Sequence, residues 1–526
     1  MDESLPFADR WFGTVIKQLA WWLWLGLLVA VPVTSFPLVR NYVGDSSVYP
    51  LSALILVFLV LAWLIPYILG DGRFPGHVRP LLLFALLAVL SAGIGLTLPL
   101  GPYKGTLPLS RELRALATLG IGVCFYLTAV TLPDSERRIR MSLWALYFGA
   151  VLTLIWSSLQ AIYVTDNVAN IPTTLNRIQR MISVRDLLRN RVSGMAYEPS
   201  WLGDQLVVLY LPLWLGSVLT RYSAFTRRRT YLSIELILLG WGTAILVMAR
   251  SRISMLSLIV MVGVLYVLLA RGASHRLAHR IRPNDALART RLRGAVFVSA
   301  LLVGVLGIVG AGYGLVKVGS AYDWRLRRVL QVPNEMISIR QQHPYAVAYE
   351  LANRVAFAER LVYWRTAFSA FEAYPVFGVG PGDAGFLFQS SVPAYGYTLT
   401  EIQAVLRPNN PTFPNPKNLW IRLLAETGLI GFSAYLAWIL VMAGCAWSLF
   451  ARGDGLARTL GLVGVLAMAA QLVEGFSLDT FALPQIWLVN GLITTAYVHL
   501  LVGIHTGRSP DLSGRADQGM LESGSA

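Results

Sequence analysis

Twelve apolar stretches, each near the length that crosses a bilayer, constrain this chain more than any other feature. A helix rises about 1.5 Å per residue, so a hydrocarbon core about 30 Å thick takes roughly 20 residues. The stretches run approximately 15–36, 48–69, 80–100, 113–132, 140–164, 199–220, 231–249, 253–270, 294–316, 419–450, 457–476 and 482–503. Inside a bilayer the backbone must satisfy its own hydrogen bonds, which leaves helices or closed barrels. Runs this long read as helices. Charged residues are 14% of the chain, against about 25% in a typical soluble protein, and hydrophobic residues are 55%. The expected fold class is therefore an all-α polytopic membrane protein with about 12 transmembrane helices. The first stretch is rich in Trp and too long for a cleavable signal, and no small-residue cleavage site follows it. It reads as a retained span.

Orientation follows from lysine and arginine in the short loops. With the N-terminus in the cytoplasm, the cytoplasmic loops hold eighteen such residues and the short outward loops ten. Seven of the eighteen lie between Arg271 and Arg293, and Arg227, Arg228 and Arg229 also count inward. The bias supports both termini inside. The expected organisation is transmembrane helices 1–9 over 1–316, a large outward loop domain over 317–418, transmembrane helices 10–12 over 419–506 and a disordered cytoplasmic tail over 507–526. The loop is too long for a plain connector. Residues 345–373 have a helical pattern that Pro375 and Gly378-Val-Gly-Pro-Gly382 stop, and 389–416 look like an irregular lid. Residues 171–190 begin with a pattern that fits a helix lying in the membrane interface, with Leu175, Ile178 and Ile182 on one face.

This topology puts Arg191, Glu198, Arg250, Arg252 and Lys417 on the outer side, from three separate regions of the chain. Ionisable residues at a membrane boundary are costly unless paired or used. Arginine offers a planar fork of donors to phosphate oxygens and lysine a point charge. A carboxylate beside them can take a proton from an attacking hydroxyl. Plainer roles also fit. Glu198 before Pro199 suits a helix start, Arg250 and Arg252 suit a turn that snorkels to the interface, and Lys417 suits an interfacial anchor.

Other chemistries find little support. Gly378-Val-Gly-Pro-Gly382 lacks the preceding strand and the Lys-Ser/Thr ending of a phosphate loop. The chain has no His-Glu-x-x-His and no Asp-x-Asp, and His343 is the single histidine of the outward loops, so no metal or other cofactor is expected. The net charge of +16 reflects topology and attraction to anionic lipid rather than nucleic acid. Cys124 and Cys445 lie in predicted spans and form no disulfide framework.

Three elements carry a resemblance. Arg250-Ser-Arg252-Ile-Ser-Met-Leu follows the seventh stretch. Trp364-Arg365-Thr-Ala-Phe precedes Tyr374-Pro-Val-Phe-Gly-Val-Gly-Pro-Gly382. Asn418-Leu-Trp-Ile-Arg-Leu-Leu-Ala-Glu426-Thr-Gly-Leu-Ile-Gly431 re-enters the membrane. In this order they resemble the O-antigen ligase and O-antigen polymerase family of the bacterial envelope, over roughly 190–500. The resemblance implies a GT-C-like glycosyltransferase in the bacterial inner membrane, its active site facing the periplasm. The donor would be a glycan on undecaprenyl diphosphate. The acceptor would be another lipid-linked repeat unit in a polymerase, or lipid A core or a protein in a ligase. A flippase and a chain-length regulator are the implied partners. Arg191, Arg250, Arg252, Arg365 and Lys417 would contact the diphosphate. Many family members carry His-Asn where this chain has Lys417-Asn418, and that histidine is a proposed catalytic residue in ligases. Lysine is a poor base at neutral pH, so Glu198 becomes the candidate base, with Lys417 beside it. A flippase of lipid-linked oligosaccharide is the alternative class, since many spans fit it equally.

Overall fold

The computed structural model describes residues 7–38, 48–70, 72–165, 173–225, 233–281, 284–319, 352–353 and 357–503. These residues form helices and no strand. Ten helices are long and apolar enough to cross a membrane: Leu51–Leu69, Gly76–Gly95, Pro108–Thr131, Glu136–Tyr163, Pro199–Thr220, Arg252–Ile281, Ala286–Gly307, Leu419–Arg452, Gly455–Glu474 and Pro484–Val502. Two shorter apolar helices, Val15–Ala30 and Ile234–Ala249, stand where the first and seventh stretches were expected. The polytopic all-α class is as expected, and the count of ten is that of the described residues.

Position in the bundle follows from which faces are apolar. Leu51–Leu69 and Arg252–Ile281 leave most of their apolar residues uncovered, Leu54, Val57, Phe58 and Leu61 among them, as lipid-facing helices do. Pro199–Thr220, Gly455–Glu474 and Pro484–Val502 are covered on nearly all sides and form the centre. There Trp214, Trp438 and Trp487 are buried whole. Trp438 and Trp487 stack at 5.4 Å between centroids.

Two irregularities shape the end of the bundle that carries the candidate residues. The helix Leu419–Arg452 is broken at Gly428 (φ 61°, ψ −168°), a region open essentially to glycine alone. The break frees backbone groups, and the turn after Pro375 satisfies them. Leu429 N donates to Pro375 O at 2.8 Å, Val379 N to Ala425 O at 3.0 Å and Gly380 N to Glu426 O at 3.1 Å. Ser91 Oγ adds bonds to the carbonyls of Phe377 and Glu426. The second irregularity is a π-helical turn, Leu206–Tyr210. Pro212 follows it and has no N–H to offer the carbonyl four residues back.

The long loop is more helical than an irregular lid. Ala358–Ala373 is a helix and ends just before Pro375, as the breaker residues predict. Phe388–Ser391 and Thr400–Leu406 are short helices. Val362, Tyr363, Phe388, Ile402 and Val405 bind them into a small core. A helix, Thr173–Ile182, stands where an interfacial helix was expected, with Met181 exposed. Its Gln179 is buried and accepts from Trp156 Nε1 at 2.8 Å, an anchor that periodicity did not reveal. Arg40, Arg227 to Arg229, Arg282, His343 and the tail from 507 lie outside the described residues.

Candidate functional site

The segment 183–198 places Arg191 and Glu198. Gln160, from the preceding span, clasps its turn: Oε1 accepts from Ser193 N and Gly194 N at 3.1 and 3.0 Å, and Nε2 donates to Gly194 O. Gly194 has φ 58°, which favours glycine. Glu198 is then the N-cap residue of the Pro199–Thr220 span, with extended backbone before Pro199. Its carboxylate does not cap the helix. Oε1 accepts from Arg185 Nη1 at 3.0 Å, and Oε2 from Ser200 Oγ at 3.3 Å. Arg185 was not among the sequence candidates.

Arg191 Nε donates to Ala249 O at 3.0 Å, which ties this segment to the end of Ile234–Ala249. Arg250 caps that helix in the left-handed region (φ 49°), and Arg252 opens the next. Both arginines are exposed, while Ser251 between them is buried. The chain packs closely here: a Cβ on Gly203 would lie 2.4 Å from Ser254 Oγ. Glu198, Arg191, Arg250 and Arg252 thus lie where three helices, Pro199–Thr220, Ile234–Ala249 and Arg252–Ile281, begin or end.

Lys417 belongs to a second group at the same end. Its backbone is left-handed (φ 51°) and its N donates to Asp479 Oδ2 at 3.1 Å. The ammonium meets Glu401 Oε1 at 2.5 Å and stands 4.1 Å from the Tyr363 ring centre. Tyr363 Oη donates to the same Glu401 oxygen at 3.0 Å. Burial alone would raise the Glu401 carboxyl. Lys417, Tyr363 and Arg360 overcome that and hold it below its ordinary value. Asn418 next door caps Leu419–Arg452 through bonds from Trp420 N and Ile421 N.

Arg360 belongs to the second group and feels the charge of the first. Its Nη1 reaches the carbonyls of Lys417 at 3.2 Å and Ser477 at 3.5 Å. Glu401, Asp479 and Glu198 are its electrostatic neighbours. Its Nε and Nη2 have no hydrogen-bond partner among the described residues. Arg365 is five residues further along the same helix and so turns to another face. There it pairs with Glu372 at 3.0 Å. Of the two arginines, Arg365 is the one named from the sequence, and Arg360 is the one that reaches Lys417. Helical spacing from Tyr363 and Trp364 was the available signal, but which face turns inward depends on the loop core.

Below these groups Arg422 pairs with Glu426 at 2.9 Å, both nearly buried, and also donates to Asp479 O. Asp383, just past the glycine-rich turn, is fully buried, and neither carboxylate oxygen has a donor. Burial, with Glu112 and Glu426 adding to it, pushes its carboxyl up to about 8. Among the described residues no group of three or more His, Cys, Asp or Glu is placed to hold a metal ion.

Near one end of the bundle, partly exposed carboxylates pair with cations at Glu198–Arg185 and Glu401–Lys417, and Arg360 bonds to the Lys417 carbonyl. No curated protein matches the chain. The family model described as O-antigen ligase matches residues 236–436, a stretch that holds Arg250, Arg252, Arg360, Lys417 and the break at Gly428 but neither Arg191 nor Glu198. Over that stretch the chain is similar to the O-antigen ligase and polymerase family, a match that supports a membrane enzyme of surface glycan assembly.

Proposed function

We propose that this protein is a glycosyltransferase that extends a surface polysaccharide, using a glycan on undecaprenyl diphosphate as donor and a second lipid-linked repeat unit as acceptor. One observation carries this reading: Arg360 bonds the Lys417 carbonyl and lies within electrostatic reach of Glu198, so cations and a partly exposed carboxylate come together at one end of the bundle. A lipid diphosphate keeps its tail in the bilayer and its charge at that boundary. Arg252, Arg360 and Lys417 bind its oxygens, and Lys417 exchanges Glu401 for phosphate. Arg191 and Arg250 complete the rim. Glu198 takes the proton of the acceptor hydroxyl, whose oxygen bonds the anomeric carbon. The bond from that carbon to the diphosphate breaks, and its electron pair leaves with the lipid. Donors already aimed at the leaving group stabilise its growing charge.

The test is the full chain in lipid nanodiscs or vesicles, given a lipid-linked repeat unit. Elongated glycan with release of undecaprenyl diphosphate is the expected result. Transfer to lipid A core without elongation would make it a ligase. Movement of the donor across the vesicle without either product would make it a flippase and discard the reading.

A further inference from the structure

Two carboxyls buried inside the helix bundle have no part in that reaction. Asp204 lies in the Pro199–Thr220 span and Glu474 ends Gly455–Glu474. They are 0% and 1% exposed. Both line one narrow cavity, together with Gln471, Thr480, Tyr435 and Trp487. Asp204 Oδ2 accepts from Gln485 Nε2, and Glu474 Oε1 accepts from Ser257 Oγ at 3.0 Å. The remaining oxygens, Asp204 Oδ1 and Glu474 Oε2, meet no donor among the described residues. No lysine, arginine or histidine lines the cavity, so the charges find no counter-ion there.

Two such carboxylates cannot both stay ionised. Even after relaxation, burying an ion costs several kcal/mol, and like charges sharing a site force a proton onto one of them. The π-helical turn that begins two residues after Asp204 is a geometry frequent at functional sites. Intramembrane ionisable residues of this kind are functional by default.

We infer that Asp204 and Glu474 form a binding site for a single proton, shared between them across a cavity large enough for about one water. The proton does not take part in glycan transfer. It keeps the seam between the Pro199–Thr220, Gly455–Glu474 and Pro484–Val502 spans neutral. Glu474 also anchors the loop above it: its carbonyl accepts from Ser477 N and Leu478 N at 2.8 and 2.9 Å. That loop presents Asp479 to Lys417 N. Of the charged groups packed around the seam, Asp479 faces Lys417 and Arg422, and Arg422 is held by Glu426. Tyr435 is the other titratable lining residue. Loss of the proton sets two negative charges against each other beneath the loop.

Infrared spectra of the full chain in nanodiscs, in H₂O and in D₂O at neutral pH, read the site without any glycan. They therefore stand or fall independently of the transferase reading. Any other protonated carboxyl contributes equally to both spectra, so the measure is the difference between wild type and Asp204→Asn/Glu474→Gln. Loss of one deuterium-sensitive carboxyl band in the double variant is the expected result. Coincident spectra would overturn the proposal. Melting of the wild type in sodium, potassium and choline chloride at equal ionic strength needs no variant. A proton site predicts the same midpoint in all three, and a rise specific to sodium would show a metal cation as the ligand instead.

Discussion

Glu198 is 41% exposed beside Arg185, a pair that surface screening makes weak for stability. A variant there therefore tests the proposed role as base with little cost to the fold. Positioned proton transfer contributes about 10²–10⁴-fold in rate, so Glu198→Gln is expected to cut turnover by roughly 10²-fold or more with donor KM unchanged. Steady-state assays over a donor series check this, and equal loss of binding and turnover would make Glu198 an orienting partner of Arg185. Asp383 gives a prediction in pH. Its folded-state value of about 8 lies above the ordinary 3.8. Its contribution to stability is therefore complete below about 3.8 and is lost as pH rises towards about 8. Asp383→Asn should flatten the decline in melting midpoint between those limits. An unchanged slope would mean that another group titrates there.

At the scale of elements, the broken helix and the glycine-rich turn are one device. A Cβ at Gly428 would lie 2.2 Å from Val376 O, and one at Gly378 would lie 2.4 Å from the Glu426 carbonyl carbon. Gly428→Ala adds backbone strain of about 1–3 kcal/mol to that clash. It should loosen the turn and expose 374–387 to protease, and wild-type protection in the variant would contradict the docking. The Ala358–Ala373 helix discriminates between its two arginines. Arg360→Ala should raise donor KM clearly more than Arg365→Ala, because only Arg360 reaches Lys417. Equal effects would return Arg365 to the diphosphate site.

For the whole molecule, the two ends of the bundle differ in kind. One carries exposed pairs such as Arg138–Asp134 and Arg140–Glu136, and the other carries Glu198, Lys417 and the long loop. The positive-inside rule puts the first end in the cytoplasm. A cysteine at exposed Ser390 should then react with an impermeant reagent in outer-permeabilised cells, and a cysteine at Arg137 should not. The reverse pattern would turn the site to the cytosol.

Hydropathy alone determined the polytopic helical class and located each apolar stretch in order, because the bilayer penalises every unsatisfied backbone group. Residue chemistry picked out Glu198, the arginines at 250 and 252, and Lys417. Pro375 and the glycines after it marked the end of the loop helix, since proline and glycine act through local backbone geometry. Tertiary structure alone decided which of Arg360 and Arg365 faces Lys417, that Glu401 and Asp479 hold the lysine, and that Arg185 pairs with Glu198. It also decided that the turn after Pro375 mends the break at Gly428, and that Asp204 and Glu474 face one cavity. These pairings join residues tens to hundreds of positions apart. They depend on how helices rotate and pack, and no periodicity within a single segment encodes that.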